Sequence, residues 1–115
     1  MTENTFQSQL FFAFTRYELG RPDLFMFAVP NGDLRDPVVA NRLKATGVRK
    51  GVSDLIVMGG GKVVYVECKT DTGKLSDHQE RFKQKATLNK MAFITARPAD
   101  GVAAVCEKII KLLYS

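Results

Sequence analysis

Phe6, Leu10, Phe11, Phe14 and Tyr17 recur at helical spacing and predict a helix from about Glu3 to Leu19. Gly20-Arg21-Pro22-Asp23 interrupts it. Leu24 to Val29 reads as a strand, and Pro30-Asn31-Gly32-Asp33 as a turn. Asp36 followed by Pro37 has the form of an N-cap with proline in the first turn, and Gly47 closes that helix. Asp54 to Met58 and Lys62 to Lys69 are two apolar runs around Gly59-Gly60-Gly61, the pattern of a hairpin. Ser76-Asp77-His78-Gln79 matches a capping box opening a helix to about Asn89. Met91 to Ala96 is a further strand. Pro98 restarts a helix whose apolar stripe runs from Val102 through Leu113. The order α-β-α-β-β-α-β-α, without repeat or linker, predicts an α/β fold: a mixed β-sheet flanked by helices.

Inside the hairpin the apolar pattern is broken by Asp54, Glu67 and Lys69. Charged groups near a core are costly unless paired or holding a metal. A two-residue loop at Gly60-Gly61 puts Gly59 opposite Lys62 and Asp54 opposite Glu67. Opposed residues share a face, and so do residues two apart on a strand. The two carboxylates and the ammonium then converge at the end of the hairpin farthest from its turn. Leu55, Val57, Val64, Val66 and Cys68 form a core layer on the other face. A three-residue loop shifts the register by one and places Glu67 diagonally, leaving a looser cluster. Two carboxylates across a hairpin repel unless a cation joins them, and oxygen ligands suit Mg²⁺ or Mn²⁺. Lys69 beside that ion would hold a water for attack or stabilise transition-state charge. A surface ion pair is the plain alternative, and the coincidence of register favours the metal site.

The 115 residues suit one domain, 1–115, with a modest core. Net charge is +5 and the pI near 9.4, which fits an anionic partner such as DNA. The first residues lack the basic-then-apolar order of a signal peptide, and no apolar run approaches membrane-spanning length, so no membrane partner is expected. Cys68 and Cys106 are expected to pack as small apolar side chains in a reducing compartment. With one histidine and no close cysteine pair, structural zinc is not expected.

The motif order resembles that of the PD-(D/E)XK nuclease superfamily, and within it the VRR-NUC branch. The residues that carry the likeness are Pro30-Asn31-Gly32, Gly47-Val48-Arg49-Lys50-Gly51-Val52-Ser53-Asp54, Glu67-Cys68-Lys69 and Leu75-Ser76-Asp77-His78-Gln79. Glu3 matches the acidic residue of the family's first helix. Ser53 departs from the proline common there, a backbone preference rather than a chemical group. The resemblance implies a restriction-endonuclease-like fold and a metal-dependent endonuclease. Asp54 and Glu67 would be metal ligands with the Cys68 backbone carbonyl. Lys69 would position water, Gln79 would lie near the site, and Glu3 would complete the metal's outer shell. It also implies a Holliday-junction-resolvase-like, structure-selective homodimer of phage type, acting in the cytoplasm of a bacterial host.

Two of these residues have a second reading. Gln79 is also the capping-box partner of Ser76, and Glu3 is an acid favoured by the helix macrodipole. Arg35, Arg42, Lys44, Arg49 and Lys50 form a basic stretch before Asp54 that would track DNA phosphates, with Asn31 in the turn beside it. A solvated helix face is the alternative, least so for Arg49 and Lys50. Phe11 beside Phe12 exceeds what one buried helix face needs and suggests a second subunit. The rival function from another class is a non-catalytic basic DNA-binding module on the same fold.

Overall fold

The computed structural model describes residues 1–30 and 36–115. Four helices and four strands are present among them: α1 (Glu3–Glu18), β1 (Phe25–Ala28), α2 (Pro37–Ala45), β2 (Leu55–Gly59), β3 (Lys62–Cys68), α3 (Asp77–Leu88), β4 (Ala92–Ala96) and α4 (Val102–Tyr114). The order is the expected one. The last helix differs. Pro98–Asp100 forms a separate 3₁₀ turn, closed where Asp100 Oδ2 accepts from Arg97 N and Asp71 Oδ1 accepts from Ala99 N. The α-helix begins only after the bend at Gly101. Asn31 and Arg35 lie outside the described residues.

The strands form one mixed sheet in the order β1-β2-β3-β4. The first three pair antiparallel, and β4 lies parallel to β3. A parallel neighbour needs a crossover, which α3 supplies. The hairpin register is the two-residue one, with Gly59 opposite Lys62 and Leu55 opposite Val66. Gly60 and Gly61 hold φ of 59° and 75°, a left-handed pair that side chains resist and that a tight hairpin turn uses.

One face of the sheet presents Met26, Leu55, Val57, Val64, Val66, Cys68, Ile94 and Ala96 to Phe6, Leu10 and Phe14 of α1 and Val105, Cys106, Ile109 and Leu113 of α4. Each large side chain buried there is worth about 1.5–3 kcal/mol relative to exposure. The second face is more sparsely covered. Phe82 of α3 packs edge-on against Tyr65 at 4.9 Å between ring centroids and lies 6.2 Å from Phe93. α2 stands at the rim. Asp36 caps it by accepting from Val38 N at 2.9 Å, and Ala40 is its one buried residue. No described helix is long and apolar enough to cross a membrane.

The two ends of the sheet differ. At the hairpin turn, Asp23 Oδ2 accepts from Gly60 N at 2.7 Å and from the Tyr114 hydroxyl at 3.0 Å, tying the end of α1 and the end of α4 to the bend. At the opposite end the first residues of α1 and α3 approach the start of β2 and the end of β3, around Asp54, Glu67 and Lys69.

Candidate active site

Asp54 stands one residue before β2 and Lys69 one residue after β3, yet both remain in the hydrogen-bonded lattice. Asp54 O accepts from Val29 N at 2.9 Å, and Lys69 N donates to Ala96 O at 3.0 Å. Their backbones are thus fixed by the neighbouring strands. Asp54 Oδ2 reaches across the hairpin and accepts from Cys68 N at 2.8 Å. Glu67 points to the same side, and its carboxyl comes within hydrogen-bonding reach of the Asp54 carboxyl.

Among the described residues, the buried polar side chains are Ser53, Glu67 and Lys69, all within this one cluster. Ser53 is self-satisfied, its hydroxyl donating to Leu55 O at 3.0 Å. Glu67 is not. It is 1% exposed, and its Oε1 has no hydrogen-bond partner among the described residues. Burial, a hydrogen bond with the Asp54 carboxyl and the Asp54 charge push the Glu67 carboxyl up to about 9; Lys69 opposes the rise. Two carboxyls in contact can share a proton or a cation, since two bare carboxylates have only acceptors to offer each other. Lys69 Nζ lies 3.8 Å from Glu3 Oε1, a long ion pair with a half-exposed partner. The first turn of α1 therefore meets the end of β3.

Gln79 carries both of its sequence roles at once. Its Oε1 accepts from Ser76 N at 2.8 Å, and its backbone N donates to Ser76 Oγ at 3.2 Å, completing the capping box. Its Nε2 donates to Glu67 Oε2 at 3.2 Å. The amide has one acceptor and two donors, so capping leaves the nitrogen free for the carboxylate. The cap thereby orients the residue that orients Glu67.

Two supports have weak sequence signals. Gly51 has φ of 87°, and a Cβ there would come within 2.4 Å of the His78 carbonyl carbon and oxygen. The loop before Asp54 thus lies directly against the first turn of α3, a contact only glycine permits. Arg97 Nη1 donates to Thr70 O at 2.7 Å and Gly73 O at 2.6 Å, clamping the loop that joins Lys69 to α3. The glycine was visible inside its motif. The arginine was not, because its partners lie more than twenty residues away in sequence.

Arg42, Lys44, Arg49 and Lys50 are all exposed. Arg49 and Lys50 directly precede Gly51, which packs against His78 in the first turn of α3. Arg42 and Lys44 sit on the last turn of α2, farther along the chain. The Cys68 side chain faces the apolar core, and burial followed by the Asp54 and Glu67 charges pushes its thiol up to about 12. A neutral buried thiol is inert, so whatever Cys68 offers the site comes from its backbone.

The donor set suits a hard divalent cation. Two carboxylates meet, and one oxygen of Glu67 has no other use. No group of three or more His, Cys, Asp or Glu side chains is placed to hold a metal ion among the described residues. Mg²⁺ commonly takes one or two carboxylates and leaves its other positions to water and phosphate oxygens.

Neither a protein-family model nor a curated protein matches the chain. A solved structure described as a VRR_NUC domain protein superimposes with a TM-score of 0.70, covering 97% of this chain and 90% of that one, at 20% sequence identity. The likeness establishes the fold. The chain has the architecture of a VRR_NUC domain, a mixed sheet between helices, as the order of its motifs implied.

Proposed function

We propose that this chain is a divalent-metal-dependent nuclease that hydrolyses phosphodiester bonds in DNA. The observation that carries the reading is the buried Glu67 carboxyl beside Asp54, with one oxygen unpartnered. A protein that only bound DNA would have no use for paired carboxylates facing phosphate, since they would repel it. Asp54 and Glu67 would hold Mg²⁺ or Mn²⁺, with the Cys68 carbonyl as a backbone ligand. The ion, when bound, supplies Lewis-acid chemistry that offsets charge on the scissile phosphate.

The remaining work falls to the chain itself. Lys69, fixed by the parallel ladder to Ala96, holds the attacking water in line with the phosphorus and offsets charge in the transition state. Gln79 keeps Glu67 in its ligating rotamer. Glu3 draws the Lys69 ammonium toward the first helix and contributes to the outer shell. Arg49 and Lys50 receive the DNA backbone, with Arg42 and Lys44 beyond them, and Arg35 and Asn31, earlier in the sequence, would add to the same path. Replacing Arg49 and Lys50 together by Ala is expected to lower the salt-dependence slope of affinity by roughly 0.9 per lost phosphate contact on duplex DNA. Titrations at several salt concentrations measure it, and an unchanged slope removes both residues from the DNA path.

One active site per chain cuts one strand, and a twofold dimer brings two. We infer such a homodimer, acting on branched DNA such as four-way junctions. Its support is apolar surface left over after the core is filled. Phe12 is 70% exposed, and Phe11, Phe25 and Met58 are exposed too. Between α1 and β1 a hollow of about 380 Å³ is lined by Phe11, Phe25 and Phe27. Phe12→Asp is expected to shift the sedimentation coefficient to the monomer; an unchanged species places the interface elsewhere. The nuclease reading is tested by incubating the protein with supercoiled, linear, flap and four-way DNA in Mg²⁺, Mn²⁺ or EDTA. Cleavage with either metal and none in EDTA is expected. Intact DNA in every metal lane would leave the basic-module reading standing instead.

A further inference from the structure

Two sizeable hollows lie away from the carboxylates. Two depressions of about 880 and 660 Å³ adjoin between α1 and α4, sharing Tyr17, Arg21 and Ala103. Together they make one shallow groove. It begins near Ala13 and Val102 and runs toward the end of α4 at Tyr114, beside the hairpin turn. Glu3 and Arg16 sit near opposite ends of α1, about 20 Å apart at 1.5 Å per residue. The groove is therefore separate from the proposed nuclease site, and neither reading depends on the other.

The floor is apolar and mostly small: Ala13, Gly20, Ala103 and Cys106, with Ile110 and the flank of Tyr17. Small residues let another backbone approach closely. The rim is basic. Arg16, Arg21, Lys108 and Lys111 line it, against one acidic side chain, Glu107. An apolar floor with a rim of one sign has the form of a helix-receiving groove, in which floor burial gives affinity and rim charge gives selection.

We propose that this groove docks an acidic amphipathic helix of a partner protein. Its apolar stripe would lie on Tyr17, Ala103 and Ile110, and its carboxylates would meet Arg16, Arg21, Lys108 and Lys111. Two other occupants fit less well. Single-stranded nucleic acid would need free aromatic faces for stacking. The Tyr17 ring is stacked on Phe14 at 5.8 Å, and the Tyr114 ring is covered by the Arg21 guanidinium at 5.1 Å. A second copy of this chain, docked about a twofold axis through the groove, would set the four cations against their own counterparts.

The probe is a fluorescein-labelled peptide of five helical turns, about 18 residues, built from Leu, Ala and Glu with the leucines on one face. Its control has the same composition with the leucines scattered around the helix. Fluorescence anisotropy is expected to show saturable binding at least about tenfold tighter for the amphipathic peptide. Lys108→Glu with Lys111→Glu should abolish it. The decisive variant is Ala103→Arg, which adds positive charge while blocking the floor. Docking of a helix predicts weaker binding to Ala103→Arg; plain charge attraction predicts stronger. Amide shifts in ¹⁵N spectra should cluster at Tyr17, Ala103 and Lys108. DNA cleavage by these variants should be unchanged. The proposal is overturned by equal binding of the control peptide, by tighter binding to Ala103→Arg or by no binding at all. It is equally overturned if a single-stranded oligonucleotide displaces the peptide from the same residues, or if the groove variants change the sedimentation of the free chain.

Discussion

Asp54→Asn is expected to abolish metal-dependent DNA cleavage while the chain stays folded and still binds DNA. The substitution is nearly isosteric. The amide oxygen of the replacement can keep the acceptor role that Asp54 Oδ2 plays toward Cys68 N, so the hairpin end loses no backbone hydrogen bond. What disappears is the negative charge. A ligand charge lost from a hard-cation site weakens ion binding, and loss of the ion's charge stabilisation, several kcal/mol, lowers the rate about 10³-fold or more. Folding should not suffer. Metal-free, the Glu67 carboxyl is held up near 9 and is protonated at neutral pH, so it can donate to the replacement amide oxygen as it does to the Asp54 carboxylate. DNA affinity should hold or rise slightly, because one fewer anion faces the phosphates. Lys69→Ala should lose cleavage to a similar degree by a different route, with metal binding retained. Cleavage assays, DNA titrations and thermal melts are to be read together. A melting temperature and a DNA affinity that both fall with activity would assign Asp54 a structural task and remove it from the chemistry.

The hairpin was readable because its two constraints agree. Gly60-Gly61 supplies the left-handed turn, and the alternation of Leu55 and Val57 against Val64 and Val66 permits one register. Once that register holds, Asp54 and Glu67 have to meet. The start of α3 was equally plain, since Ser76 and Gln79 carry the spacing of a capping box. What spacing does not encode is how distant segments are pressed together. That Gly51 touches His78, or that Arg97 bonds Thr70 and Gly73, follows from tertiary closure rather than from any local pattern. The same holds for Gln79, where capping and contact with Glu67 looked like alternatives. They are compatible because the two ends of one amide serve them separately. The split at Gly101 has no local signal, because Pro98 is a good first residue for either kind of helix; the bonds to Asp100 and Asp71 select the 3₁₀ turn.

In EDTA, the melting temperature is expected to fall as pH rises from 5 to 9, and Glu67→Gln should flatten that fall. The sign follows from proton binding. Unfolded, the Glu67 carboxyl titrates near its ordinary value of 4.5; folded and metal-free, it is held up near 9 by burial and by Asp54. Between those limits the folded chain binds the extra proton, so stability decreases with pH. The contribution is complete below 4.5 and gone once pH has passed through about 9. Asp23 acts oppositely and elsewhere. The Gly60 N–H and the Tyr114 hydroxyl hold its carboxyl below 3.8, so its effect lies on the acid side of the window. Divalent metal should reverse the trend. The ion needs the ionised carboxylate, so binding expels the proton, and affinity should rise by up to about tenfold per pH unit below 9. Metal at about 100 times its dissociation constant would then add about 2.7 kcal/mol of stability. Calorimetric titrations of Mn²⁺ in buffers of different ionisation enthalpy count the released protons directly. A metal affinity independent of pH, or a wild-type melting profile in EDTA superimposable on that of Glu67→Gln, would show that Glu67 is already ionised without metal, and the reading of its unpartnered oxygen as a seat for a cation would lose its physical basis.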